Sequence, residues 1–195
     1  MKMRVSSGSL KGRKIKFTPS GRQLRPTTSK VKESVFNILA GEINGARFLD
    51  LYAGTGAVGI EALSHGASEV FFVESDRSNS KNIKQVLEQT GFKEKAKVVT
   101  TKALSFIEWA EVNNLSFDII FLDPPYHTDE IMHALSAIGG SHILGQTGLV
   151  MAEHFTKRKL PERVDRLQKV KDYIYGDTVL SLYKIIDKNN LCNHL

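Results

Sequence analysis

Short apolar runs alternate with amphipathic stretches along most of this chain, and that order of periods predicts an α/β architecture. The runs at 47–51, 69–74 and 117–122 are rich in Phe, Leu, Ile and Val, the pattern of parallel strands covered on both faces. A more polar run at 96–100 and another at 148–153 complete five predicted strands. Helical spacing is predicted between them, over 57–65, 79–89, 104–110 and 129–138. A first helix follows Pro26, with Thr28 as its cap and Val31, Val35, Ile38 and Leu39 on one face. The last segments, 164–175 and 178–186, flank Gly176-Asp177 and read as two antiparallel strands of a hairpin. At the other end, 3–5 and 14–17 alternate in polarity around Gly8 and Gly12, which predicts a short N-terminal hairpin. The expected organisation is an extension over 1–26, one main domain over 27–186 and a frayed tail over 187–195.

Composition narrows the class. A chain of 195 residues suits a single domain with a full core. It carries no apolar run long enough for a membrane span and no signal-peptide pattern, so a cytoplasmic protein is expected. The one cysteine, Cys192, excludes a disulfide framework within the chain and suggests a reducing compartment. Six scattered histidines show no ligand spacing with it, and no metal is expected. Charge is more telling. Residues 1–32 hold ten Lys or Arg and no acid, whereas the other 163 residues carry 17 basic and 21 acidic groups, a net of −4. A block so one-sided predicts a nucleic-acid face, because cations gain by neutralising phosphates and releasing counterions. Arg4, Lys11, Arg13, Lys14 and Arg22 are its candidate contacts. A second basic stretch, from Lys157 to Lys171, is diluted by Glu162 and Asp165 and reads equally as a groove lining or a solvated connection.

Two motifs carry chemistry. Gly54, Gly56 and Gly59 lie between a predicted strand and helix, where glycine permits positive φ and close approach of a ligand to the backbone. Glu74 follows Gly54 by twenty residues, at a strand end, where a carboxylate accepts from ribose hydroxyls. Glycines alone leave a nicotinamide enzyme open. Asp50 argues against it: a carboxylate four residues before Gly54 repels a pyrophosphate but suits the ammonium and sulfonium of S-adenosylmethionine. The second motif is Asp123-Pro124-Pro125-Tyr126, closing the strand at 117–122. Two prolines end the ladder there and leave backbone carbonyls free beside a carboxylate and an aromatic ring. Those groups suit a planar ring bearing an amine. Asp50-x-x-x-Gly54-x-Gly56 resembles motif I of the class I methyltransferases, and Asp-Pro-Pro-Tyr resembles their amino-methylating motif IV.

A closer resemblance follows from the N-terminal residues. Met3-Arg4-Val5, Gly8, Lys11-Gly12-Arg13, Arg25-Pro26-Thr27-Thr28, Lys30-Val31-Lys32-Glu33-Ser34 and Phe36-Asn37-Ile38-Leu39 resemble the signature of the RsmD family. The segment from Asp50 to Ser64, the Asp-Pro-Pro-Tyr and Tyr175-Gly176-Asp177-Thr178 match the same family in order. The resemblance implies a Rossmann-like fold with a seven-stranded, mostly parallel sheet, helices on both faces and the N-terminal hairpin as an extension. It implies methylation of a guanine N2 amine in small-subunit ribosomal RNA, S-adenosylmethionine as cofactor, and the RNA or an assembling subunit as partner to a monomer. Residues expected at the cofactor are Asp50, Ala53, Gly54, Gly56, Glu74 and Ala103, with Arg25, Thr27 and Thr28 closing over the site. Those expected to act on the amine are Asp123, Pro124, Pro125 and Tyr126. One departure is Lys102, where the family commonly has a small acid or amide; the adenine contact would then fall to backbone at Ala103. The other readings are a DNA methyltransferase acting on adenine N6 or cytosine N4, and an inactive RNA-binding assembly protein.

Overall fold

Phe48, Leu49, Val70, Phe71, Phe72 and Val73 are all almost completely buried, as strands covered on both faces require. The structure is a computed structural model and describes residues 2–5, 8–16, 29–125 and 128–186, without the side chains of 2–4, 14–16 and 29. Two compact units divide the chain, residues 1–103 and 104–195.

The first unit begins with the hairpin β1 (Lys2–Arg4) and β2 (Lys14–Lys16), paired antiparallel with Met3 opposite Ile15. A 3-10 turn over Gly8–Leu10 joins them and presses on the second helix. The Leu10 N–H donates to Ser64 Oγ at 3.0 Å. Gly8, at φ +75°, lies so close that a Cβ would sit 2.1 Å from the Ser64 carbonyl oxygen. Helix α1 (Ser29–Ile38) leads through a turn to β3 (Arg47–Asp50), α2 (Ala57–Ser64), β4 (Glu69–Glu74), α3 (Arg77–Thr90) and β5 (Ala96–Thr100). Strands β3, β4 and β5 are parallel and lie in the order β5-β4-β3. Asp76 caps α3 by accepting from the Asn79 N–H at 2.9 Å, and Gly91 ends it at φ +78°. Lys32 on α1 and Glu61 on α2 form an ion pair of 2.8 Å, with side chains 5% and 1% exposed.

The second unit holds α4, which spans Ala103–Val112 and so starts at the unit boundary, then β6 (Phe117–Leu122), α5 (Glu130–Gly140) and β7 (Leu144–Phe155). It closes with β8 (Arg163–Val164), β9 (Leu167–Tyr175) and β10 (Thr178–Ile185). Strands β6 and β7 are parallel; β10, β9 and β8 follow antiparallel. The two units thus hold three and five strands outside the N-terminal pair, one more than the seven expected. The added strand is β8. Asp165 adopts φ 50°, turning the chain where a single strand over 164–175 was predicted. Strand β7 also starts four residues early, because its register against β6 shifts between Phe117 and Ile119 and accommodates Gly145 and Gly148.

Candidate active site

The glycine loop is built by hydrogen bonds to two carboxylates. Asp50, the last residue of β3, is 2% exposed, and its Oδ2 accepts from the Gly59 N–H at 3.0 Å. Burial is the main influence on this carboxyl and pushes its pKa up to about 7; the Gly59 N–H opposes that, and the Glu74 charge adds to it. Glu74, at the end of β4, accepts from the Gly54 N–H at 2.7 Å through Oε2 and from the Asp76 N–H at 2.7 Å through Oε1. The loop is therefore pinned to β3 and β4 at both ends. Gly54 and Gly56 take φ +52° and +75°, and a Cβ at Gly54 would meet nothing nearer than the Tyr52 carbonyl at 3.9 Å. That open side leaves room for a ligand against the backbone. Gly59 has a different duty: a Cβ there would stand 2.3 Å from the Phe72 ring, so its absence sets how closely α2 packs on β4. Ala53 is buried and donates to the Val73 carbonyl at 2.9 Å. Ala103 is buried at the start of α4, whereas Lys102 before it is exposed.

In the second unit, the chain leaves β6 at Leu122 into Asp123-Pro124-Pro125. A narrow cleft there is lined by Pro124, Pro125, Ile131, Glu153, His154, Phe155 and Arg158. The Arg158 guanidinium donates to the Thr128 carbonyl and to Asp129 Oδ1, fastening the chain just beyond the motif. His154 is buried with both ring nitrogens near protein atoms: Nδ1 lies 3.1 Å from the Phe155 carbonyl and Nε2 lies 2.7 Å from Ser181 Oγ. Ser181 donates to Asp172 at 2.5 Å, and Lys169 joins Asp172 at 3.1 Å to Glu162 at 2.8 Å. Burial lowers the His154 pKa. This relay ties three strands together, and a ring so engaged is a brace for β7.

Several expected residues have other or additional duties. Arg13 donates to the Gln89 carbonyl at 2.7 Å, near the end of α3, so it anchors the hairpin. Lys11 is exposed. Arg166 donates to the carbonyls of Gly139 and Ser141 at the end of α5. With Arg158 and Lys169 also engaged, three cations of the second basic stretch act within the fold. Tyr126, Arg22, Arg25, Thr27 and Thr28 lie outside the described residues, as do the side chains of Arg4 and Lys14. Sequence reasoning missed Glu153, His154 and Arg158. The one available signal was a pair of polar residues closing the apolar run 149–152.

Comparison with known proteins agrees with this geometry. The family described as Conserved hypothetical protein 95 matches residues 3–184. A Bacillus subtilis protein provisionally named an rRNA methyltransferase is 39% identical over 182 residues, covering 93% of this chain and 98% of its own. Ribosomal RNA small subunit methyltransferase D of Escherichia coli K12 is 31% identical, covering 93% and 89%. A solved structure from E. coli, provisionally described as a methyltransferase, superposes with a TM-score of 0.83 at 28% identity, covering 95% and 98%.

Proposed function

The chain belongs to the Conserved hypothetical protein 95 family, which is the RsmD family, and from that premise we propose that it methylates a guanine N2 amine in small-subunit ribosomal RNA. The observation that carries the reading is the pairing of two built features in one chain. One is a glycine loop held open by Asp50 and Glu74; the other is an Asp-Pro-Pro turn at a strand end over a buried polar cleft.

S-adenosylmethionine supplies an activated methyl group on its sulfonium. The residues fit it: backbone at Gly54 is open to a ligand, and two carboxylates provide negative charge for its ammonium and ribose. In this reading Asp50 acts on the cofactor through the loop it braces and through its charge. Glu74 takes the ribose hydroxyls, and backbone at Ala53 and Ala103 contributes to the rest of the pocket. Arg25, Thr27 and Thr28 close over it.

The amine is the work of the second unit. Guanine N2 is a poor nucleophile because its lone pair is delocalised into the ring. Asp123 and the Pro124 carbonyl each accept one N–H, which turns the lone pair out of conjugation and stabilises positive charge developing on nitrogen. Pro125 keeps the turn rigid, and Tyr126 stacks on a base that has left its own stack. The N-terminal cations, Lys11 and Arg4 among them, take phosphates, while Arg13 holds the hairpin that presents them. The protein acts as a monomer in the cytoplasm.

The test uses methyl-labelled S-adenosylmethionine with three acceptors: small subunits lacking the modification, naked ribosomal RNA and duplex DNA. Label recovered as N2-methylguanosine from a ribosomal acceptor is expected. Recovery as N6-methyladenine from DNA would reject the reading in favour of a DNA enzyme. Asp123→Ala should abolish transfer while cofactor binding survives.

A further inference from the structure

We propose that Glu153 reads the N1–H of the target base and so makes the site specific for guanine among purines bearing a 2-amino group. The inference rests on the guanine-N2 reading above. Strands β6 and β7 run parallel with Ile120 beside Val150, Phe121 beside Met151 and Leu122 beside Ala152. One residue further on, that register sets Asp123 beside Glu153, and side chains level with each other on neighbouring strands share a face of the sheet. Glu153 is 2% exposed and lines the cleft with Pro124 and Pro125. The one cation lining that cleft, Arg158, directs its guanidinium to Thr128 and Asp129. Phe155 and Ile131 add apolar walls suited to a flat ring.

The chemistry of the base then assigns the acceptors. Guanine presents three N–H bonds along one edge, two on N2 and one on N1. Asp123 and the Pro124 carbonyl take the two on N2. A third acceptor level with Asp123 is placed for N1–H, and a carboxylate is an acceptor. The same carboxylate faces a lone pair when the base is 2-aminopurine, which keeps the amine but has no hydrogen on N1. A buried site built for an N–H rejects the analogue lacking it, because its own polar group is then left without a partner. Glu153 is in this account a residue that contacts the substrate, distinct from the acceptors that prepare the amine.

Small subunits are reconstituted with guanine, 2-aminopurine or hypoxanthine at the position that takes the methyl group. Wild-type protein and Glu153→Gln are then compared by kcat/KM with labelled S-adenosylmethionine. The wild type should prefer guanine to 2-aminopurine by at least about tenfold, a modest fraction of what a buried polar mismatch can give. Glu153→Gln can turn its amide N–H toward the bare N1. Its guanine-to-2-aminopurine ratio should therefore fall by about tenfold or more, with cofactor affinity unchanged. A variant that slows both bases equally would overturn the proposal and leave Glu153 a structural residue. Equal use of the two bases by the wild type would overturn it without any variant, even if Glu153→Gln failed to fold. Failure of the guanine-N2 reading looks different: the wild type would leave guanine unlabelled, or would label hypoxanthine, which has no 2-amino group.

Discussion

Asp50→Asn removes a charge that the fold buries, and its effect on stability follows from the surroundings of that carboxyl. The side chain is 2% exposed, and its pKa rises from 3.8 to about 7, chiefly through burial. An unfolded chain gives up this proton near pH 4, whereas the native state keeps it to about 7. Between those values the native state binds more protons, so the group's contribution to stability falls as pH rises and levels out above about 7. A shift of about three units sets a ceiling of about 4 kcal/mol, of which the two units between pH 5 and 7 account for roughly 3. Asparagine keeps an oxygen for the Gly59 N–H and carries no charge to bury. Urea unfolding without cofactor, at pH 5 and pH 8, should therefore show the variant gaining on the wild type by on the order of 1–3 kcal/mol between the two conditions. Taking the difference cancels the histidines, His154 among them, whose lowered pKa values work in the opposite direction. Affinity for S-adenosylmethionine should meanwhile weaken, so stability and binding move in opposite senses. Parallel stability curves for the two proteins from pH 5 to 8 would refute the reasoning, since burial of Asp50 would then carry no ionisation cost.

Other perturbations test the packing around the two half-sites. Lys32→Met leaves Glu61 buried without its cation and should cost about 3–5 kcal/mol in thermal or urea unfolding; adding Glu61→Leu should restore most of it. Gly59→Ala places a methyl group against the fully buried Phe72 ring, and overpacking of about 1–3 kcal/mol should exceed the gain of about 1 kcal/mol from helix propensity. Arg158→Ala releases Thr128 and Asp129 and should lower kcat, with cofactor affinity measured by calorimetry unchanged.

Which parts of this protein were legible in one dimension depends on whether the determining interaction is local. Strand and helix order was legible because burial on both faces leaves apolar runs, as at 69–74 and 117–122, and helices leave a 3.6-residue period. The glycine loop was legible because positive φ at Gly54 and Gly56 restricts the residue type at those positions. Asp123-Pro124-Pro125 announced itself because proline ends a ladder wherever the strand lies. Family membership followed from such local signatures taken in order.

The tertiary structure decided what each charge does. Ten N-terminal cations look alike along the chain, yet Lys32 is buried against Glu61 and Arg13 holds the Gln89 carbonyl. Asp50, expected to face the cofactor directly, carries the Gly59 N–H. The break at Asp165 that creates β8 depends on how the chain folds back on β9. Glu153 gained its significance from the register of β7 against β6, a pairing between residues about thirty apart. A charge or a strand pairing is completed by a partner remote in sequence, and the distance that fixes its role exists only once the chain has folded.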